Sequence, residues 1–290
     1  MRLYNPADMR RQKLAWLASA ALALADIPLF CAPISIAVPV QQGGLETTRA
    51  WTLLCRQVQA ESGIELRFVV TKDQEAALDE LRRRFVDLAV VDPAWYAGNK
   101  RNLVPLLEAR VARQGAVSVS LIVPRGSISY KLTDLAERSI ALTRTGQSAA
   151  GYFVPLALLA EAGVVYADPK RLVLAETFDS ILKGVAFGSL DAGAIPSYEL
   201  DSEAGRAYAD FIRVIAQSDP LPHPLIVGRV EDDPARYGGL IRAFIGLSGS
   251  GRGRQALLSS GYTEFASPST AGFAALNRYL QIYRDAYGAP

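Results

Sequence analysis

Two runs of alternating strands and helices make up most of this chain, and both runs finish alike. In the first, ISIAV at 34–38 reads as a short buried strand. A helix follows in which Trp51, Leu54, Cys55 and Val58 recur at i, i+3, i+4 and i+7, and Gly63 stops it. IELRFVV alternates Ile64, Leu66, Phe68 and Val70 as a strand does. DQEAALDELRRRF places Leu78, Leu81 and Phe85 on one helical stripe, and VDLAVVD gives a third strand. The second run repeats this order: SIALT, a helix over 148–162 stopped by Gly163, the strand RLVLAE, a helix with Ile181, Leu182 and Val185 on one side, and the strand LDAGAI. Such alternation implies parallel pairing and an α/β sheet in each half. Each half closes with an Asp at a strand start (Asp87, Asp191) and a Pro and Tyr just past its end (Pro93 and Tyr96; Pro196 and Tyr198). Ligands of open α/β sheets bind beyond those carboxyl ends, so two facing halves would form a cleft.

Two extended segments read as connectors between the halves: VSVSLIVPRGS at 117–127, and RVIAQSDPLPHPLIVGR at 213–229 with Pro220, Pro222 and Pro224. Beyond them Asp233 and Pro234 open a helix, and FAALNRYLQIYRDAYG is helical by pattern. The expected layout is an export signal at 1–32, lobe 1 at 33–123, lobe 2 at 124–216, and a second crossover with C-terminal helices returning to lobe 1 at 217–290. Two crossings between lobes are what a hinged clamshell requires.

The first thirty residues differ in kind. Arg10, Arg11 and Lys13 precede LAWLASAALALADIPLF, and small residues follow. A basic segment, a short apolar stretch and small residues describe an export signal, and Asp26 and Pro28 cut the stretch too short for a permanent span. Met9 offers an alternative start. Removing 1–32 takes away four bases (Arg2, Arg10, Arg11, Lys13) and two acids (Asp8, Asp26), so the formal charge falls from +2 to 0. A balanced surface is not a nucleic-acid footprint, and ion selectivity must come from a local site. With Cys31 lost at the cleavage zone, Cys55 has no disulfide partner and its spacing predicts burial.

RTGQSAAGYFVP, 144–155, packs small residues ahead of the apolar run LALLAEAG. It reads as a tight loop feeding a helix N-terminus, whose free N–H groups and partial positive charge suit an anion. With SGIELRFVVTKDQEAALDELRRRFVDLAVVDPAWY, SVSLIVPRGSISYKLTDL, GQSAAGYFVP, SLDAGA and SDPLPHPLIVGR in this order, the chain resembles the periplasmic phosphate/phosphite/phosphonate-binding proteins of ABC transporters. The resemblance runs from about Ile34 to Tyr262 and implies the two-lobed type II periplasmic-binding fold, a small anionic solute, a membrane permease as partner and a periplasmic location. It implies no cofactor or metal, and a monomer is expected.

In that family the segment matching Ser148, Ala149, Ala150 and Gly151 is typically Ser-Thr-Ser-Gly and binds the oxyanion. Here Ser148 remains and two hydroxyls are replaced by Ala149 and Ala150, each loss removing a hydrogen bond to a charged oxygen worth roughly 1.5–3 kcal/mol where buried. A second departure is that the Gly-His-Glu type segment of phosphonate-binding members is replaced here by Thr177, Phe178 and Asp179, which loses the imidazole and shortens the acid. Asp191 and Tyr96 match ligand-facing family positions, Tyr198 follows from the internal repeat, and Thr145 lies in the same loop as Ser148. The candidate ligand-binding set is therefore Ser148, Ala149, Ala150, Gly151, Tyr96, Asp191, Thr145, Asp179 and Tyr198. Ser148 could equally be a helix cap, and Asp191 could stabilise its own strand–helix junction.

Enzyme readings are weak. His223 is the only histidine and sits between two prolines, which argues against His-rich metal sites and leaves a Ser–His–Asp triad dependent on one residue. Asp232 and Asp233 before Pro234 are explained by capping. Relatives of the family also serve sensor kinases or redox systems, so a ligand-sensing component is the alternative to a transport receptor.

Overall fold

The computed structural model describes residues 32–40, 43–111, 117–143, 148–166 and 169–288. The expected export signal, apart from Ala32, lies outside them. The strands are β1 (Ile34–Pro39), β2 (Leu66–Thr71), β3 (Leu88–Val91), β4 (Leu103–Arg110), β5 (Val119–Pro124), β6 (Ile140–Thr143), β7 (Leu172–Ala175), β8 (Ala192–Pro196), β9 (Ile212–Gln217), β10 (Leu225–Arg229) and β11 (Glu264–Ala266). The helices are α1 (Gly44–Ser62), α2 (Gln74–Arg82), α3 (Pro93–Asn99), α4 (Val154–Glu161), α5 (Phe178–Ala186), α6 (Glu203–Tyr208), α7 (Gly238–Gly246), α8 (Gly251–Ser259) and α9 (Phe273–Tyr287).

The strands form two sheets, ordered β11-β4-β10-β3-β1-β2 and β7-β6-β8-β5-β9. Each has a parallel trio (β2-β1-β3; β7-β6-β8) extended by an antiparallel strand from after a crossing (β10; β5) and then by the strand before a crossing (β4; β9). The two lobes are thus built on one plan. The inner strands β3, β6, β8 and β10 are buried throughout because helices cover both faces. The repeat extends to side chains. Asp87 Oδ2 accepts from the N–H and hydroxyl of Ser35 at 2.8 and 2.9 Å; Asp191 Oδ2 accepts from the same groups of Ser139 at 2.9 and 2.8 Å. In each lobe this clip fastens the amino end of the third strand to the amino end of the first.

The structure moves three expected boundaries. β5 pairs with β8 and β9, so the first lobe ends after β4 and not at residue 123. The expected stripe on α2 stops short: the helix ends at Arg82, Arg84 takes a left-handed φ of 62°, and Phe85 is exposed while Val86 is buried in its place. The C-terminal part divides. α7, α8 and β11 join lobe 1, but α9 packs on α4 of lobe 2. The reason lies in α4, where Val154, Pro155, Leu156, Ala157, Leu158 and Leu159 are all buried. A helix apolar all round needs cover on both sides. The sheet supplies one through Val119, Leu121, Ile140 and Leu142; Leu276, Tyr279, Leu280 and Tyr283 of α9 supply the other.

The two crossings lie side by side, bridged antiparallel at Val117 and Leu221. The Ser218 N–H donates to the Val119 carbonyl and the Val119 N–H to the Ser218 hydroxyl, both at 2.9 Å. His223, buried, accepts from the Val111 N–H at 3.3 Å and so ties one crossing to the other. The chain crosses a third time to reach α9, whose start presses on this hinge. A Cβ on Gly272 would stand 2.6 Å from the Leu221 carbonyl carbon, and φ there is +80°, so glycine is required twice over.

Candidate functional site

The carboxyl ends of β3, β6 and β8 meet where the lobes face each other. After β6 the chain enters a wide helical turn, Ala149–Phe153, that runs on into α4. Its N–H groups reach back five residues: Phe153 donates to the Ser148 carbonyl at 3.1 Å and Val154 to the Ala149 carbonyl. Such π turns inside helices are frequent at functional sites. Ser148 is the cap, its hydroxyl oxygen accepting from the Gly151 N–H at 3.0 Å. That oxygen's own hydrogen stays available to donate, so capping and ligand contact are compatible. Gly151 is a packing requirement, since a Cβ there would collide with the Thr143 hydroxyl at the end of β6. Ala149 is buried and Ala150 partly so.

Lobe 1 brings α3 against this turn, and Ala94 of α3 belongs to the apolar cluster of lobe 2. Asp92 caps α3, its Oδ1 accepting from the Ala94 N–H at 2.9 Å, and Pro93 occupies the first helical position. The same oxygen also accepts from the Ala149 N–H, across the cleft, at 2.9 Å. The Asp92 N–H is itself held by Gln74 Oε1 at 3.0 Å. Although the residue as a whole is half-buried, its carboxyl is withdrawn from water. Burial pushes the carboxyl up to about 6, with the two N–H bonds from Ala149 and Ala94 pulling the other way.

Tyr96 lies one turn further along α3. Its ring meets Phe273 of α9 edge-on at 5.6 Å, and desolvation raises its phenol. Tyr198, just beyond β8, is raised more strongly, first by burial and then by neighbouring charges that include Glu199 and Asp92. Both tyrosines stay neutral donors at ordinary pH. Asp179 stands in the first turn of α5, beyond the end of β7, and is paired with Lys183 at 2.7 Å. Thr177 caps that helix by accepting from the Ser180 N–H at 3.1 Å. Thr145 lies outside the described residues.

Asp191 is not in this group. It precedes β8 whereas the turn follows β6, and β6 and β8 run parallel. The length of β8, about 16 Å for five residues, separates it from the cleft edge. Its carboxylate is held below the usual range, chiefly by the Ser139 N–H. The strand-junction role is the one the structure gives it. Asp92, which the sequence reading passed over, takes a place at the cleft instead. The visible signal was Asp-Pro after a buried strand, which announces a helix cap but not a contact in the other lobe. Among the described residues no group of three His, Cys, Asp or Glu is arranged to hold a metal ion.

The two-lobed architecture recurs in solved structures. A Xanthomonas citri protein bound to chloride ion superposes with a TM-score of 0.72 at 16% identity, covering 87% of this chain and 98% of that one. PhnD1 from Prochlorococcus marinus, in complex with methylphosphonate, gives 0.68 at 14% identity, covering 89% and 100%. A binding protein component of an ABC phosphonate transporter from Pseudomonas aeruginosa gives 0.67 at 16% identity, covering 87% of each. No curated protein matches the chain. The family model for the ABC transporter, phosphonate, periplasmic substrate-binding protein matches residues 36–273, from β1 to the first residue of α9. With both lobes, the hinge and the turn at Ser148 inside that span, the chain belongs to the periplasmic phosphonate substrate-binding family of ABC transporters.

Proposed function

We propose that this protein, exported by its N-terminal segment, captures a small phosphonate-, phosphite- or phosphate-like anion between its lobes and delivers it to an ABC permease. The observation that carries this reading is the turn at 148–153, which opens at the carboxyl edge of β6 and faces α3 of the other lobe. The solute's negative oxygens sit against the N–H groups of Ala149 and Ala150 and take a hydrogen bond from the Ser148 hydroxyl, whose oxygen is steadied by the Gly151 N–H. Tyr96 and Tyr198 close over it from the two lobes. The alanines leave backbone donors but remove two hydroxyls, so binding is weaker than a fully hydroxylated turn gives, or is directed to a different oxyanion. The relatives that hold methylphosphonate and chloride are consistent with an anion in such a cleft.

The test is a thermal-shift screen against phosphate, phosphite, methylphosphonate, aminoethylphosphonate, sulfonates and small carboxylates. A solute that binds only the folded protein adds about 2.7 kcal/mol at a hundredfold excess over its dissociation constant. A phosphorus oxyanion should raise the melting temperature, and Gly151→Ala, which disturbs the turn, should abolish the rise. Silence across all anions would overturn the reading.

A further inference from the structure

We propose that Asp92 is a built-in competitor for the anion position, a carboxylate that lobe 1 places on lobe 2's helix turn so that the cleft closes without solute and admits an anion only by displacing it. This rests on the reading of the 148–151 turn as the anion site.

A cap for α3 needs only the Ala94 N–H. Asp92 Oδ1 takes the Ala149 N–H as well, at the same 2.9 Å, from the opposite lobe. That bond puts a carboxylate oxygen where the turn's first donor points. The other donors are then accounted for. Gly151 gives its N–H to Ser148 Oγ, and Tyr152 and Phe153 give theirs to the Ser148 carbonyl. Among the described residues only the Ala150 N–H and the Ser148 hydroxyl hydrogen are left for an incoming oxygen. An anion entering beside Asp92 would also meet a like charge in a site withdrawn from water, which neither group tolerates while both are ionised. Asp92 must therefore swing out, or the solute must be one that tolerates it.

The surroundings hold the carboxylate in place without neutralising it. Gln74 at the start of α2 fixes its backbone, and among the described residues of lobe 2 the ionisable group that feels its charge is Tyr198, a neutral phenol. Among the described residues no lysine or arginine acts on its carboxyl. The partial positive charge of the helix turn is what draws it across. Asp92 is thus a specificity-determining residue that lowers anion affinity and raises the population of the closed, empty form.

Two measurements on wild type and Asp92→Ser test this. Serine keeps a cap for α3 but is too short to reach Ala149. Small-angle scattering without solute should find the wild type compact and Asp92→Ser more extended. Calorimetric titration with methylphosphonate should find Asp92→Ser binding about tenfold more tightly, the equivalent of one charge-assisted hydrogen bond returned to the solute. Asp92→Asn keeps an acceptor for both N–H groups and loses only the charge. It guards against a folding defect in the serine variant and should gain affinity in the same direction by a smaller factor. Equal scattering profiles for empty wild type and Asp92→Ser would overturn the proposal, as would an unchanged or weakened affinity in both variants. If methylphosphonate binds none of the three proteins, the scattering comparison alone decides the matter, and the failure belongs to the choice of solute.

Discussion

Replacing Asp92 by Asn should make the protein more stable at pH 7, although it alters a residue that makes two good hydrogen bonds. The carboxyl is pushed from an ordinary 3.8 up to about 6. The Ala94 and Ala149 N–H groups therefore offset only part of the cost of withdrawing the charge from water. A shift of about 2 pH units corresponds to about 3 kcal/mol as an upper bound. The sign follows from proton binding. Between pH 4 and 6 the folded protein holds a proton that the unfolded chain has released, so stability rises as the pH falls from 6 to 4. Above pH 6 the full penalty applies, and below 4 it is absent. Asparagine keeps an oxygen for both donors and carries no charge to desolvate. At pH 7 Asp92→Asn should thus gain up to about 3 kcal/mol, or about 6 °C in melting temperature for a chain of this length. At pH 4 the two proteins should be nearly equal. Groups that act in the opposite sense, such as Asp191 with its lowered carboxyl, are common to both proteins and cancel in the difference. Calorimetric scans of both from pH 4 to 7 measure it. A difference that is flat with pH, or an Asn variant less stable at pH 7, would refute the reasoning.

Gly151→Ala forces its new methyl into the Thr143 hydroxyl and against the Ser148 hydroxyl, and should cost about 1–3 kcal/mol in denaturant unfolding; Thr143→Ala in the same molecule removes the tighter of the two clashes and should recover part of it, a coupling that a double-mutant cycle reads directly. Asp191→Ala should lower stability by about 1 kcal/mol, through loss of the bonds from Ser139, and leave anion affinity unchanged; a large affinity loss would restore Asp191 to the cleft. Cys55 is buried, with its thiol pushed up to about 12, so thiol reagents should react with it slowly in the native protein and at the rate of an ordinary cysteine once it unfolds.

The alternation of strands and helices was legible because most of the strands are buried runs and the helices carry one-sided stripes, as Trp51, Leu54, Cys55 and Val58 do on α1. The membership of β5 in a sheet was not, since VSLIVP is apolar enough for either lobe and only its pairing with β8 and β9 decides. Phe85 was misplaced because periodicity does not register that Arg84 leaves the helix. α9 fits the apolar surface of either lobe by pattern, and the demand came from α4, which is apolar all round. The turn at Ser148 could be read from its small residues and the helix behind them. The misassignment of Asp191 came from treating both ends of a strand as one place. Asp92 escaped notice because a cap is a local role, whereas its second bond joins residues 57 apart in sequence.

A crystal structure of the protein soaked or grown with the strongest anion from the thermal screen would test the central claim most directly. The solute's negative oxygens should lie within hydrogen-bond distance of the Ala150 N–H and the Ser148 hydroxyl, with Asp92 turned away from Ala149 and both lobes in contact with the solute. An anion bound elsewhere on the protein, with Asp92 still on the Ala149 N–H and the turn unoccupied, would contradict it.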